Sequence, residues 1–62
     1  MLRLTLAGAR VNAGVGTREA AKLLGIGRTT LWKYEHGRIE PKHEIIEKMS
    51  ELYRVPMEVL SY

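Results

Sequence analysis

Sixty-two residues make one small domain, and a chain this short buries only about 60% of the surface it exposes when unfolded. Without cysteine it has neither a disulfide nor a thiolate metal site, which fits a reducing compartment, and no stretch carries the apolar run of a signal peptide or the roughly 18 residues of a membrane span. The net charge of +3 is unevenly placed, with seven Lys and Arg against two Glu in residues 1–38 and three against five in residues 39–62, so a polyanion suits the first half. The expectation is a soluble, cytoplasmic protein. A cationic membrane-surface helix is disfavoured, because no segment joins a large apolar face to a Lys-rich one.

In chain order, the first helix opens at Leu4 or Thr5, with the Thr5 hydroxyl as its N-cap. Leu6, Ala9, Arg10 and Ala13 line one face. Arg10 is the odd member, since a buried cation is costly unless paired. Gly14 suits a left-handed helix end. Gly14-Val15-Gly16 is no dinucleotide fingerprint, because no strand precedes it. The second helix starts at Gly16 or Thr17, where the free amides of a helix N-terminus make a phosphate seat. Ala20, Ala21 and Leu24 recur at the i, i+3, i+4 spacing of one face, with Arg18, Glu19 and Lys22 elsewhere. Gly25 stops the helix, and the brief Ile26-Gly27 connection sends the next one off at a steep angle.

The third helix can be phased at about 100° per residue. Thr30, Leu31 and Tyr34 point inward with Glu35 at the edge, while Arg28, Thr29, Trp32, Lys33 and His36 point outward. Two cations, a hydroxyl, an indole and an imidazole on one face equip a helix to read base edges and phosphates: Arg and Lys for guanine, Thr for a thymine methyl or a phosphate, an aromatic for apolar contact. Any one of them alone reads better as a solvated side chain; the whole face on this two-helix frame does not. After Gly37 the loop R-I-E-P-K-H leads to a fourth helix, about Lys42 to Tyr53, with Pro41 suited to its first turn. Ile46, Met49 and Tyr53 face the core with Ile45 and Leu52 beside them. Glu44, Glu47, Lys48 and Glu51 face water, Glu44 and Lys48 forming a favourable i, i+4 pair. Arg54 follows, where a left-handed residue would be mildly strained. Pro56 starts a short fifth helix that returns Met57 and Leu60 to the core, leaving Val55, Val59 and Tyr62 outside it.

The order Thr17, Glu19, Ala21, Gly25, Ile26, Arg28, Leu31, Tyr34, Glu35, Gly37 resembles the helix-turn-helix of the Cro and phage-repressor (XRE-like) family. The likeness continues through L-T-L-A-G-A-R-V-N-A-G before it and Pro41 to Leu60 after it, so it covers nearly the whole chain. The resemblance implies an all-α, compact five-helix bundle of the lambda-repressor-like DNA-binding type, one domain over 1–62 with its motif at about 17–37. In that family the second helix of the motif lies in the major groove and the first crosses the backbone. It implies a small transcriptional regulator of phage or prokaryotic type, with double-stranded DNA as partner. Arg28, Thr29, Trp32 and Lys33 then fall to base contacts, and Gly16, Thr17, His36, Arg38 and Lys42 to phosphate contacts. Glu35 becomes the ion-pair partner of Arg10, as the family commonly pairs these places.

The sequence departs from the family at three positions. Gly16 stands where Ser, Thr or Asn often caps the second helix, His43 where an aliphatic residue is usual, and Arg54 where glycine is frequent. No appended sensing, self-cleaving or oligomerising domain is recognisable, so the expectation is a weak homodimer formed mainly on DNA through Val55, Val59 and Tyr62. No nucleophile and base set, paired carboxylates or phosphate loop suggests an enzyme, and no cofactor or small-molecule ligand is expected. His36 and His43 are too few for a metal site. The rival reading is a protein-interaction module of the same fold, an antitoxin or adaptor, with exposed Trp32 as its anchor.

Overall fold

A computed structural model describes residues 3–62; Met1 and Leu2, included in the expected domain, lie outside the described residues. The elements run β1 (Leu4–Thr5), α1 (Leu6–Asn12), α2 (Thr17–Leu24), α3 (Arg28–Glu35), α4 (His43–Tyr53), a 3-10 turn (Met57–Val59) and β2 (Leu60–Ser61). Leu6 and Ala9 of α1, Ala20, Ala21 and Leu24 of α2, Leu31 and Tyr34 of α3, and Ile46, Met49 and Tyr53 of α4 meet in one core that Leu60 closes. Leu4, Val15, Ile26, Ile45, Leu52, Val55 and Met57 pack around its edge. The alanines of α2 are fully buried, and their small side chains leave room for α3 and α4 to pack closely on this short helix.

Local chemistry sets the ends of the helices. Thr5 caps α1, its hydroxyl accepting from the Gly8 amide at 2.9 Å, which satisfies one of the donors every helix start leaves unpaired. The end of α2 is closed by Gly25 at φ 73°, and the Ile26 amide reaches back to the Ala21 carbonyl at 3.0 Å. The end of α4 closes in the same way, the Val55 amide donating to the Ser50 carbonyl at 3.1 Å, but here the left-handed residue is Arg54 at φ 57°.

Among the described residues the structure holds four α-helices, not five. After Pro56, itself extended, three residues form a 3-10 turn and the chain straightens at Leu60. A six-residue tail containing a β-branched valine has little to gain from helix nucleation. Its backbone instead finds β1: Leu60 pairs with Leu4 and Ser61 with Thr5 in a two-stranded parallel ladder. The ladder ties the two ends of the described chain together and returns Leu60 to the core, where it is 4% exposed. The mostly helical expectation therefore holds with this small sheet added.

Three smaller expectations are corrected. Ala13 is exposed, because α1 ends at Asn12 and Ala13 is its C-cap. Pro41 is buried but lies outside α4, whose N-cap is Lys42 in an extended conformation. Val55 and Val59 are half-buried rather than left outside, and Tyr62 alone of that trio is fully exposed.

Candidate nucleic-acid interface

The first and third helices are joined by a side-chain bond that fixes which way α3 faces. Arg10 Nε donates to Glu35 Oε2 at 2.8 Å, Nη2 to Glu35 Oε1 at 3.4 Å and Nη1 to the Val15 carbonyl at 3.0 Å. Both side chains are nearly buried, 12% and 6% exposed. Three acceptors satisfy a cation that would otherwise be stranded, and the hydrogen bond to Glu35 raises the Arg10 pKa against a smaller opposing effect of burial. With Leu31 and Tyr34 held in the core and Glu35 held by Arg10, α3 cannot roll about its axis.

The opposite side of α3 is thereby turned outward. Arg28, Thr29, Trp32 and Lys33 are all exposed. A cleft runs between the start of α2 and this side of α3, lined by Thr17, Arg28, Thr29, Leu31, Trp32 and Glu35. The structure thus brings Thr17 beside Arg28, Thr29 and Trp32 through the Gly25-Ile26-Gly27 connection. Gly16 is the N-cap of α2 and supplies no side-chain hydrogen bond, so the first amides of that helix keep their donors for an outside acceptor.

At the far end of α3 the aromatic residues are ordered by contacts among themselves. The His36 ring stacks on Trp32 with centroids 4.1 Å apart and planes 16° from parallel. His36 Nδ1 lies 2.9 Å from the Trp32 carbonyl oxygen. The Arg38 guanidinium carbon sits 5.6 Å from the centroid of the indole, within the range of a cation–π contact. This cluster was not anticipated, although the i, i+4 spacing of Trp32 and His36 was readable as a signal for it. Lys42 is exposed at the start of α4. Among the described residues the ion pairs are Arg10–Glu35 and His43–Glu47, so Arg28, Lys33, Arg38 and Lys42 have no acidic partner.

A family of helix-turn-helix domains matches residues 2–61. The chain belongs to that helix-turn-helix family. It is also similar to the cryptic phage CTXphi transcriptional repressor RstR of Vibrio cholerae, with 38% identity over 48 residues that cover 77% of this chain and 43% of that protein. The chain therefore spans less than half the length of that curated relative. No solved structure matches it.

Within the helix-turn-helix, α2 and α3 are the paired helices and Gly25 makes the turn. His43 faces neither core nor cleft: it is exposed on α4 with Nε2 3.6 Å from Glu47. Among the described residues no group of three or more potential metal ligands gathers, and no helix is long and apolar enough to cross a membrane.

Proposed function

We propose that this domain binds duplex DNA in the major groove as part of a transcriptional regulator of repressor type. The observation that carries the reading is the outward side of α3. Its cations lack internal partners, its orientation is locked by the Arg10–Glu35 pair, and it shares a cleft with the uncapped start of α2. Arg28, Thr29, Lys33 and Trp32 read base edges, the two cations suiting the paired acceptors of guanine. Gly16 and Thr17 offer amides to a phosphate, and Arg38 and Lys42 hold the backbone from the other end of α3. The work is recognition rather than catalysis. Two copies occupy a two-fold site with half-sites about 34 Å apart or a multiple of it, while the free domain is mainly monomeric.

Trp32, at 48% exposure, also favours a second reading in which a protein partner covers it. Salt separates the two. Selection of duplexes from a random pool, followed by affinity measurement over a range of salt, should give a steep fall in affinity as salt rises, and Arg38→Ala or Lys42→Ala should each reduce the slope by about 1 on every sequence. A pool that enriches nothing, or a slope near zero, sinks the DNA reading and leaves the protein partner.

A further inference from the structure

The Trp32 carbonyl is one of the last in α3, and it receives two hydrogen bonds from a single residue. The backbone N–H of His36 reaches it at 2.9 Å, and so does the ring nitrogen Nδ1, also at 2.9 Å. A carbonyl oxygen has two lone pairs and can only accept. Nδ1 must therefore carry a proton; in the neutral ring it is the only N–H, whereas the imidazolium donates from both nitrogens. In the neutral ring the remaining nitrogen, Nε2, is left with a lone pair, and it has no partner among the described residues. Stacking against the indole fixes the plane of the ring, so this lone pair has a set direction on an exposed side chain at the end of the helix that carries Arg28, Thr29, Trp32 and Lys33.

The neutral ring does not suit the phosphate contact first expected of His36, because a phosphate oxygen is itself an acceptor; that contact requires the imidazolium, in which Nε2 donates as well. What a neutral Nε2 can take is a donor. The donors that the major groove presents at base edges are the exocyclic amino groups, N6 of adenine and N4 of cytosine. We infer that His36 is a specificity-determining residue whose Nε2 accepts a hydrogen bond from the amino group of an adenine or a cytosine, with Trp32 holding the ring and the Trp32 carbonyl fixing its tautomer. The inference rests on the DNA-binding reading.

Duplex selection is run in parallel with the wild-type protein, His36→Ala and His36→Phe, the last keeping a ring to stack on Trp32 while removing the acceptor. Both variants should lose the preference for an amino-bearing base at one position of the site while keeping the others. Affinity for the wild-type site should fall about three- to tenfold, as for one hydrogen bond, with an unchanged salt slope. Purine in place of adenine, or 2-pyrimidinone in place of cytosine, at that position of the wild-type site should reproduce the loss for the wild-type protein and add nothing for His36→Phe. Whichever analogue acts identifies the base. Retained preference in His36→Phe would assign the effect to stacking and overturn the acceptor role. Equal weakening on all sequences with a slope lower by about 1 would restore the phosphate contact and overturn it too. A wild-type selection that enriches no sequence would remove the DNA reading and this inference together, whereas enrichment with flat variant effects removes only the role of His36.

Discussion

The two halves of this small domain divide its tasks. In the first, up to Arg38, each helix is closed by a left-handed glycine at or just after its cap, the connections are short, and one cation is locked inside against Glu35 while the rest are left unpaired on the surface. In the second, α4 sends Ile46, Met49 and Tyr53 inward and its acids to water, ends on a strained arginine, and gives way to a turn and a ladder strand. The first half presents a surface; the second supplies the apolar mass that holds it. The contrast is sharpest between two arginines of similar chemistry. Arg10 is fully committed to internal acceptors and serves architecture, whereas Arg28, on the outer side of α3, has no internal acidic partner and is available to a ligand.

The largest expected effect comes from breaking the internal pair. Arg10→Ala strands the Glu35 carboxylate, and loss of one partner from a buried pair costs about 3 to 5 kcal/mol. That is a large part of the total stability of a domain this size, so the variant should be mostly unfolded by circular dichroism near room temperature. In a double-mutant cycle with Glu35→Ala the two losses should be far from additive. Additive losses would mean that the pair does not hold α1 to α3.

Arg28→Ala should do the reverse. Thermal unfolding should hardly change, while affinity for a selected duplex drops by about 1 to 3 kcal/mol and the preference at one position relaxes. A loss of stability comparable to that of Arg10→Ala would erase the distinction between the two arginines. A uniform loss on all sequences would make Arg28 a phosphate contact.

How much of this was legible in the sequence follows the same division. In the first half, apolar spacing, the Thr5 cap and the glycines have strong local causes, and α2, α3 and their turn could be read directly. The Arg10–Glu35 pair spans 25 residues, and an inward cation signals only that some partner is needed; the family resemblance supplied which one. In the second half the local signals conflict. Pro56 is as compatible with an extended start as with a helix, and two-residue strands carry no periodicity, so the ladder between Leu4 and Leu60 leaves no mark until the fold brings the strands together. The outward phase of Arg28, Thr29, Trp32 and Lys33 was legible too. The stack of Trp32 with His36 was legible only as an i, i+4 spacing, because its geometry depends on how the end of α3 is capped.

The helix ends allow a comparison of opposite signs. Gly25 and Arg54 both adopt left-handed conformations, φ 73° and 57°. A left-handed conformation costs an ordinary residue roughly 1 to 2 kcal/mol. Arg54→Gly should therefore stabilise the protein by about 1 kcal/mol after the greater entropy of glycine in the unfolded chain is counted, a rise in Tm of roughly 4 to 8 °C for a domain of this size. Gly25→Ala should lower stability by a similar amount through the backbone alone, since an added Cβ meets nothing within 4 Å. If Arg54→Gly is destabilising, the arginine side chain makes a contribution that outweighs its strain.

Near neutral pH the smallest effect is expected where the halves meet, at Tyr53. Its ring belongs to the core contributed by α4, and its hydroxyl is buried without a hydrogen-bond partner among the described residues. Burial raises the hydroxyl pKa to about 12, with the Glu35 carboxylate pushing the same way and Arg10 opposing. In the unfolded chain the same group titrates near 10. Below about pH 10 the hydroxyl is protonated in both states and adds no pH dependence. Above it the unfolded chain releases the proton first, so the folded state binds more protons and stability falls as pH rises toward 12. Tyr53→Phe removes this titration along with the stranded hydroxyl. The variant should unfold at nearly the wild-type temperature at pH 7 and hold its Tm better than wild type between pH 10 and 12, measured by scanning calorimetry in matched buffers. Parallel Tm curves over that range would show that the hydroxyl titrates alike in both states, and that the core supplied by α4 admits water where it meets Arg10 and Glu35.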